Sequence, residues 1–338
     1  MKAAVFKEVG KPMVVETVDD PTPEADQLVL KVGYCGICGT DLHSTREGAA
    51  TVDSGCILGH EFVGEVVEVG KELQGKWHKG DRACSLPFLG CGHCAACLTG
   101  RPFECASVQL TGLQVPGGFA EYVKTGALES IKLPDSVAME NAALIEPLAV
   151  ALHAVRIAKM QAGQRVLITG AGPIGLAVAL WARFLGARDV VISEFAEQRK
   201  ALATKLGASA VIDPAGNLGE QFTDATGGEP DMIFECVGLP GLMQQCIEIA
   251  PRHSTIVPVG VCEQPDTILP FLALVKELQF QFAIAYTRDD FETVIAMLAQ
   301  GRIDASAMVT DIVSLEEMPE AFEALRTPSH QCKVLTRF

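Results

Sequence analysis

The chain has 338 residues, of which 49% are hydrophobic and 20% charged, so it can bury large cores and two domains are expected. Its formal net charge of −15 argues against a nucleic-acid partner, because phosphate binding requires a basic face. The amino-terminal stretch MKAAVFKEVGKPM lacks a long apolar run and no segment reaches the length of a membrane span, so we expect a cytoplasmic protein with no membrane partner.

The first third of the sequence contains short β-branched runs that are bounded by glycine, proline or aspartate. Runs at Val14–Val18, Leu28–Val32 and Phe62–Val69 predict strands. Many short strands separated by glycine turns are typical of a barrel-like or sandwich domain.

Four cysteines follow this β-rich stretch with the spacing C-x2-C-x2-C-x7-C, namely Cys91, Cys94, Cys97 and Cys105. Four thiolates at such intervals can converge on one tetrahedral zinc ion. A disulfide cluster or unrelated core thiols would be the alternative, but an intracellular chain keeps its thiols reduced. A site with four cysteine ligands leaves no position for a substrate, so we predict a structural zinc here.

Beyond about residue 145, short apolar strands alternate with helical patterns, which predicts a parallel, doubly wound sheet. The predicted strands are Arg165–Thr169, Val190–Ser193, Ala210–Ile212, Met232–Cys236 and Thr255–Gly260. The predicted helices are Ile174–Leu185 and Gln198–Leu206, and a further amphipathic helix is predicted at Phe291–Leu298.

Gly170, Gly172 and Gly175 form a G-x-G-x-x-G turn between the first of these strands and its helix, which is the context of a dinucleotide-binding turn rather than of an ordinary βα turn. Glu194 follows the second strand and can accept hydrogen bonds from both ribose hydroxyls, whereas it would repel a 2′-phosphate. NAD is therefore favoured over NADP, unless Glu194 is only a solvated loop acid. Arg199 could contact a phosphate or lie along the adenine.

Cys38, His60 and Glu146 could supply three ligands to a catalytic zinc that keeps one open position, with Glu61 as an exchangeable fourth. Spacing alone does not select these residues. Cys35 and Cys38 also form C-x-x-C, the pattern of a thiol redox pair, and a single histidine is more often structural than a ligand.

The segments CGICGTDLH, GHEFVGEVVEVG, the four-cysteine lobe, EPLAV and GAGPIG stand in one order, and through them the whole chain resembles the zinc-dependent medium-chain dehydrogenases. The resemblance implies an α/β protein in which a GroES-like β-rich catalytic domain with the structural zinc lobe occupies residues 1–147. A Rossmann-type NAD-binding domain would follow at 148–285, and residues 286–338 would return to the first domain.

The resemblance assigns Cys38, His60 and Glu146 to the catalytic zinc, places Glu61 beside it, and gives two zinc ions per chain. It also implies a proton path in which Thr40 contacts the reacting alcohol oxygen and His43 passes the proton towards solvent while hydride moves to NAD. Asp41 would orient His60. Alternatively, Thr40 is a strand-to-helix cap and Asp41 a helix N-cap.

The predicted substrate is a small alcohol or ketone, and the resemblance narrows it. Polyol dehydrogenases of the family carry an aromatic residue near Ser44 and an Arg-Tyr pair, where this chain has Ala285 and Tyr286. The motif AYT-x-x-DF resembles that of butanediol-type enzymes. Among the candidate substrates, a secondary alcohol, vicinal diol or hydroxyketone therefore ranks first, a polyol second and threonine third. The predicted cofactor-binding residues are Gly170, Gly172, Pro173, Ile174, Gly175, Glu194, Arg199, Val237, Val259 and Ala285.

A homo-oligomer is expected, with a tetramer favoured over a dimer. Three other classes of protein are the alternatives to a zinc-dependent alcohol dehydrogenase. They are a zinc-independent quinone or enone reductase, a non-enzymatic NAD-binding protein, and a thiol redox enzyme that uses Cys35 and Cys38.

Overall fold

The computed structural model describes residues 1–46, 52–327 and 330–338. They form two compact units, one made of Met1–Glu146 with Tyr286–Phe338 and the other of Pro147–Ala285. Within these described ranges, no helix combines the length and the apolar character that crossing a membrane requires.

The first segment of the chain is mainly β-structure, as its short β-branched runs predict. Its elements are β1 Lys2–Val5, β2 Val14–Thr17, β3 Gln27–Gly36, α1 Gly39–Ser44, β4 Glu61–Val69, β5 Arg82–Ser85, β6 Phe88–Leu89, α2 Ala95–Leu98, β7 Gln109–Leu110, β8 Tyr122–Gly126, β9 Ser130–Lys132 and α3 Met139–Ala142. The antiparallel pair of β3 and β4 forms the centre of this unit. The strand β3 continues to Gly36, past the predicted Leu28–Val32, and so ends just before the first predicted zinc ligand.

The middle of the chain alternates helices and strands. Its elements are α4 Ile145–Ile157, β10 Arg165–Thr169, α5 Pro173–Phe184, β11 Asp189–Ser193, α6 Glu197–Lys205, β12 Ala210–Ile212, α7 Leu218–Thr226, β13 Met232–Glu235, α8 Leu242–Ile249, β14 Thr255–Pro258, α9 Pro270–Lys276 and β15 Gln279–Phe280. All pairs in this sheet are parallel, in the order β12-β11-β10-β13-β14-β15. The strand order reverses between β10 and β13, and ligands of such sheets bind where the order reverses, at the carboxyl ends of the strands.

The final segment contributes α10 Arg288–Ala299, β16 Val309–Ser314, α11 Met318–Ala324 and β17 Lys333–Arg337 to the first unit. The strand β17 pairs antiparallel with β3, which gives a sheet of order β16-β17-β3-β4-β5-β9 in which β8 also pairs with β3. The core of the unit lies beneath this sheet and includes Leu30, Val66, Phe119, Phe322 and Val334.

Candidate functional site

Cys38 occupies the N-cap of α1, immediately after β3 ends. The Cys38 backbone N–H donates a 3.0 Å hydrogen bond to Oδ2 of Asp41, the third residue of the helix. The proposal that Asp41 or Thr40 is the cap is therefore wrong, because Cys38 holds that position and Asp41 reaches back to it.

His60 directly precedes β4 and is 9% exposed. Its Nδ1 lies 3.3 Å from Oδ1 of Asp41, which is fully buried. Burial alone lowers the pKa of His60, but the charges of Asp41 and Cys38 outweigh it and hold that pKa well above its ordinary value. Asp41 thus accepts a hydrogen bond at the start of α1 and also lies beside Nδ1 of His60, so the opposite ring nitrogen is the one available to a metal.

Ligand atoms of Cys38, His60 and Glu61 all lie within 4.8 Å of one another. Thiolate, imidazole and carboxylate donors in this number suit a zinc ion, so the residues fit the predicted metal. The carboxylate of Glu61 is also bound by Lys333, whose Nζ lies 2.6 Å from both of its oxygens. Lys333 is 1% exposed and donates a further bond of 3.1 Å to the carbonyl of Ile37.

Glu146, the other predicted carboxylate ligand, lies at the start of α4 and is outside that compact group. Its Oε1 accepts a 2.7 Å hydrogen bond from the hydroxyl of Tyr286. Desolvation and the nearby carboxylate of Glu61 raise the pKa of Glu146 to about 7.

Thr40 and His43 lie half-buried on α1, and in the described part of the chain no protein group hydrogen bonds the Thr40 hydroxyl. Cys35 is fully buried in the core, where burial first and then Asp41 raise the pKa of its thiol well above the ordinary value. A thiol in this state is a poor nucleophile, which disfavours the redox pair of Cys35 with Cys38.

The four-cysteine lobe brings its sulfur atoms together, since Sγ of Cys91, Cys94, Cys97 and Cys105 all lie within 4.8 Å of one another. The Cys105 sulfur accepts a 3.4 Å hydrogen bond from the backbone of Cys91. Hydrogen bonds from Ser107 and Cys91 lower the pKa of Cys105 to about 6, which favours the thiolate form that binds a metal. The donor set fits a closed tetrahedral zinc.

The glycine-rich turn joins β10 to α5, whose N-cap is Gly172 and whose first residue is Pro173. Gly170 has φ of +85°, and a Cβ on Gly175 would overlap the Gly170 carbonyl oxygen. A Cβ on Gly172 would meet nothing within 4 Å, so no protein atom crowds this side of the N-cap, and the first N–H groups of α5, such as that of Ile174, have no acceptor within the helix. This opening fits a pyrophosphate.

Glu194 follows β11 and is 8% exposed, so it is not a solvated loop acid. Its Oε2 accepts a 2.8 Å hydrogen bond from Ala171 in the glycine turn, and its Oε1 accepts one of 2.9 Å from Ala196. The carboxylate is therefore fixed beside the turn. Arg199 lies half-buried on α6.

Glu235, at the end of β13, is 4% exposed and was missed in the sequence. Its Oε1 accepts bonds of 2.7 Å from Val237 and 3.0 Å from Gly238, so it shapes the loop that presents the half-exposed Val237. Val259 is buried, and its N–H donates to the Glu235 carbonyl at 2.8 Å. The sequence signal for Glu235 was a single acid at the end of an apolar strand. The corresponding signal for Lys333 was a single lysine at the start of the apolar run after Cys332.

Two protein families match the chain. The alcohol dehydrogenase GroES-like domain matches residues 24–135, and the zinc-binding dehydrogenase domain matches residues 173–300. The (R,R)-butanediol dehydrogenase of Bacillus subtilis is 34% identical over 352 residues, covering 100% of this chain and 99% of the relative. The sorbitol dehydrogenase of the same organism is 33% identical, with 98% and 95% covered.

Solved structures agree with these matches. A zinc-binding dehydrogenase from Sinorhizobium meliloti bound to NADP has a TM-score of 0.90 and 32% identity, covering 100% of this chain and 99% of its own. An alcohol dehydrogenase from Escherichia coli CFT073 complexed with NADH has a TM-score of 0.91 and 28% identity, with the same coverage. The similarity therefore extends over both units.

Proposed function

Because the chain belongs to the zinc-dependent medium-chain alcohol dehydrogenases, we propose that it interconverts a secondary alcohol or vicinal diol and the corresponding ketone or hydroxyketone with NAD(H). Zinc, when bound, supplies Lewis-acid polarisation of the alcohol oxygen, and NAD accepts the hydride. The observation that carries the proposal is the thiolate, imidazole and carboxylate set at Cys38, His60 and Glu61, which suits a catalytic rather than a structural zinc.

The residues around this set have separate tasks in the proposed reaction. Cys38 and His60 hold the metal, and Glu146 is the third ligand, while Lys333 restrains Glu61 as an exchangeable fourth. The Thr40 hydroxyl is available to receive the proton of the alcohol, and His43 passes it towards solvent. The proximity of their donor atoms supports the roles of Cys38, His60 and Glu61, and the location of Thr40 and His43 on the helix capped by Cys38 supports theirs. The role of Glu146 rests on the family resemblance.

The diol class ranks above the polyol class for two reasons. Ala285 stands before Tyr286 where polyol dehydrogenases of the family carry arginine, so one donor for a chain of hydroxyls is missing. The hydroxyl of Tyr286 already donates its proton to Glu146, so it cannot donate to a substrate. The relative named (R,R)-butanediol dehydrogenase supports the same order, and polyol and threonine remain the second and third candidates.

The test is a screen of NAD reduction with stereoisomers of butane-2,3-diol, with 2-butanol, sorbitol and L-threonine, alongside a zinc assay. We expect a butanediol isomer to give the highest kcat/KM and about two zinc ions per chain. The variant Cys38→Ala should lose turnover and keep its fold and one zinc. A higher kcat/KM for sorbitol or threonine would contradict the substrate class, and an active Cys38→Ala would contradict the site.

We also propose that NAD is preferred to NADP, because a 2′-phosphate would meet the fixed carboxylate of Glu194. Glu194→Ala should lower kcat/KM for NAD through lost hydrogen bonds of roughly 1.5–3 kcal/mol together, and so narrow the preference. Glu197→Ala, which removes an exposed acid from α6, is the matched control. A wild-type enzyme that prefers NADP would reject this assignment and turn attention to Arg199.

The proposed homo-oligomer rests on an apolar surface beside β15, which among the described residues pairs with β14 alone and so ends the sheet. Phe271, Leu274, Phe282 and Ile284 are each at least 64% exposed there. An open strand edge flanked by apolar side chains suits a second copy of the chain. Phe282→Lys should shift the sedimentation of the protein to a smaller species, whereas a wild-type monomer would contradict the proposal. A cytoplasmic location is proposed because the clustered cysteines of the lobe are arranged as metal ligands rather than as a disulfide framework.

A further inference from the structure

Tyr286 is a buried tyrosine whose hydroxyl reaches the proposed third ligand of the catalytic zinc. It is 3% exposed, and its hydroxyl donates a 2.7 Å hydrogen bond to Oε1 of Glu146, 140 residues away in sequence. A buried tyrosine hydroxyl requires a polar partner, and here the partner is a carboxylate. The bond engages one oxygen of Glu146 and leaves Oε2 for another contact.

The ring of Tyr286 is held by aromatic neighbours. Its centroid lies 4.8 Å from that of Phe291 and 5.4 Å from that of Phe88, and Phe88 in turn lies 5.3 Å from Phe103. Such separations are those of packed aromatic pairs. Phe103 lies between the third and fourth cysteines of the lobe, so the aromatic contacts extend from the lobe to Tyr286.

The backbone after Tyr286 is tied to the same lobe. The N–H of Arg288 donates a 2.8 Å bond to the carbonyl of Gly100, which lies between Cys97 and Cys105. The Arg288 guanidinium donates a 3.2 Å bond to the carbonyl of Ser130. Both the ring and the backbone of this segment are therefore anchored, so the Tyr286 hydroxyl has a fixed location.

We propose that Tyr286 is a positioning residue that presents Glu146 to the catalytic metal, and that the four-cysteine lobe braces it through Phe88. The inference rests on the proposed role of Glu146 as a ligand. A glutamate side chain rotates about three bonds, and fixing its orientation before the metal binds reduces the cost of binding. Hydrogen-bond partners of ligating carboxylates have this effect in metal sites generally.

The experiment compares Tyr286→Phe with Tyr34→Phe in the metal-loaded enzyme. Tyr34 makes the same type of bond, 2.7 Å to Oε1 of Glu140, which is not a predicted ligand, and is the matched control. Metal release to a chelator is followed by zinc assay and, after cobalt substitution, by the visible spectrum of the catalytic site. We expect Tyr286→Phe to release the catalytic metal about 10–100-fold faster, with an altered cobalt spectrum. The lobe metal, the KM for NAD and the Tm should match the control.

The variant Glu146→Gln tests the ligand role of Glu146 separately from the positioning role of Tyr286. If it accelerates metal release while Tyr286→Phe releases metal at the wild-type rate, Glu146 is a ligand and the positioning role is overturned. If Glu146→Gln releases metal no faster than wild type, the ligand assignment itself fails. A Tyr286→Phe enzyme that loses both metals together with a lowered Tm would show a merely structural tyrosine, which also overturns the inference.

Discussion

Lys333→Met should strongly destabilise the first unit, because it leaves the Glu61 carboxylate buried without its cation. Both side chains are at most 1% exposed, and the lysine contacts both carboxylate oxygens at 2.6 Å. Methionine has a similar length and no charge, so the substitution removes the pairing with little loss of volume. Removing one partner of a buried ion pair costs about 3–5 kcal/mol. For a unit of this size, each kcal/mol lowers the Tm by roughly 2–4 °C, so a loss of roughly 6–20 °C is expected.

The assay is differential scanning calorimetry of the protein after its catalytic zinc is removed by a chelator, because a zinc ion beside Glu61 would itself neutralise the carboxylate, and it includes two reference variants. Lys2→Met breaks the exposed pair with Glu316, whose partners are 57% and 60% exposed, and should change the stability by less than about 1 kcal/mol. Adding Glu61→Gln to Lys333→Met removes the unpaired charge and should recover most of the lost Tm. If Lys333→Met costs no more than Lys2→Met, or if Glu61→Gln brings no recovery, the buried pair does not have the energetic role described above.

Three further predictions concern the cofactor turn, the lobe and the proton path. Gly172→Ala should keep the wild-type Tm but raise the KM for NAD roughly 10–100-fold, because the added methyl group displaces the phosphate from its hydrogen bonds. The control Gly219→Ala, on α7, should leave that KM unchanged. An unaltered KM in Gly172→Ala would refute the phosphate assignment. Cys97→Ala should lower the Tm by opening the lobe, and an unchanged Tm measured by calorimetry would argue against a structural zinc there. Thr40→Ala should reduce kcat by about 10²-fold or more, and His43→Gln by less, with recovery at high pH; equal, pH-independent losses in kcat profiles would contradict the relay.

The fold class, the family, the enzyme class and the use of zinc with a nicotinamide dinucleotide were predicted from the sequence and are confirmed by the family matches and by the relatives of full length. The choice of NAD over NADP stays a prediction. The non-enzymatic and zinc-independent alternatives were wrong. These predictions succeeded because their signals are local. In the turn from Gly170 to Gly175, for example, every requirement is expressed within six residues, between a strand and a helix that both have clear patterns.

Contacts between distant parts of the chain could not be predicted. Nothing near Glu61 indicates that its cation will be Lys333, because the two meet only when β17 joins the sheet beside β3. Likewise, nothing around Tyr286 in the sequence indicates that its hydroxyl will donate to Glu146, 140 residues away. The role of Asp41 was predicted in part. Its proximity to His60 was predicted, but its hydrogen bond to the backbone N–H of Cys38 at the start of α1 was not.

The pairing of β17 with β3 has a consequence for synthesis on the ribosome. Glu61 and Lys333 are separated by 272 residues, and at about 5–20 residues per second this distance takes roughly 15–50 s to translate. During that interval the whole of Pro147–Ala285 emerges and can fold as one continuous stretch, while the strands around Glu61 still lack β17. The nascent chain therefore carries an open edge of β3 and an unpaired acid for most of its synthesis. The Lys333–Glu61 pair can therefore form only after almost the whole chain has been made.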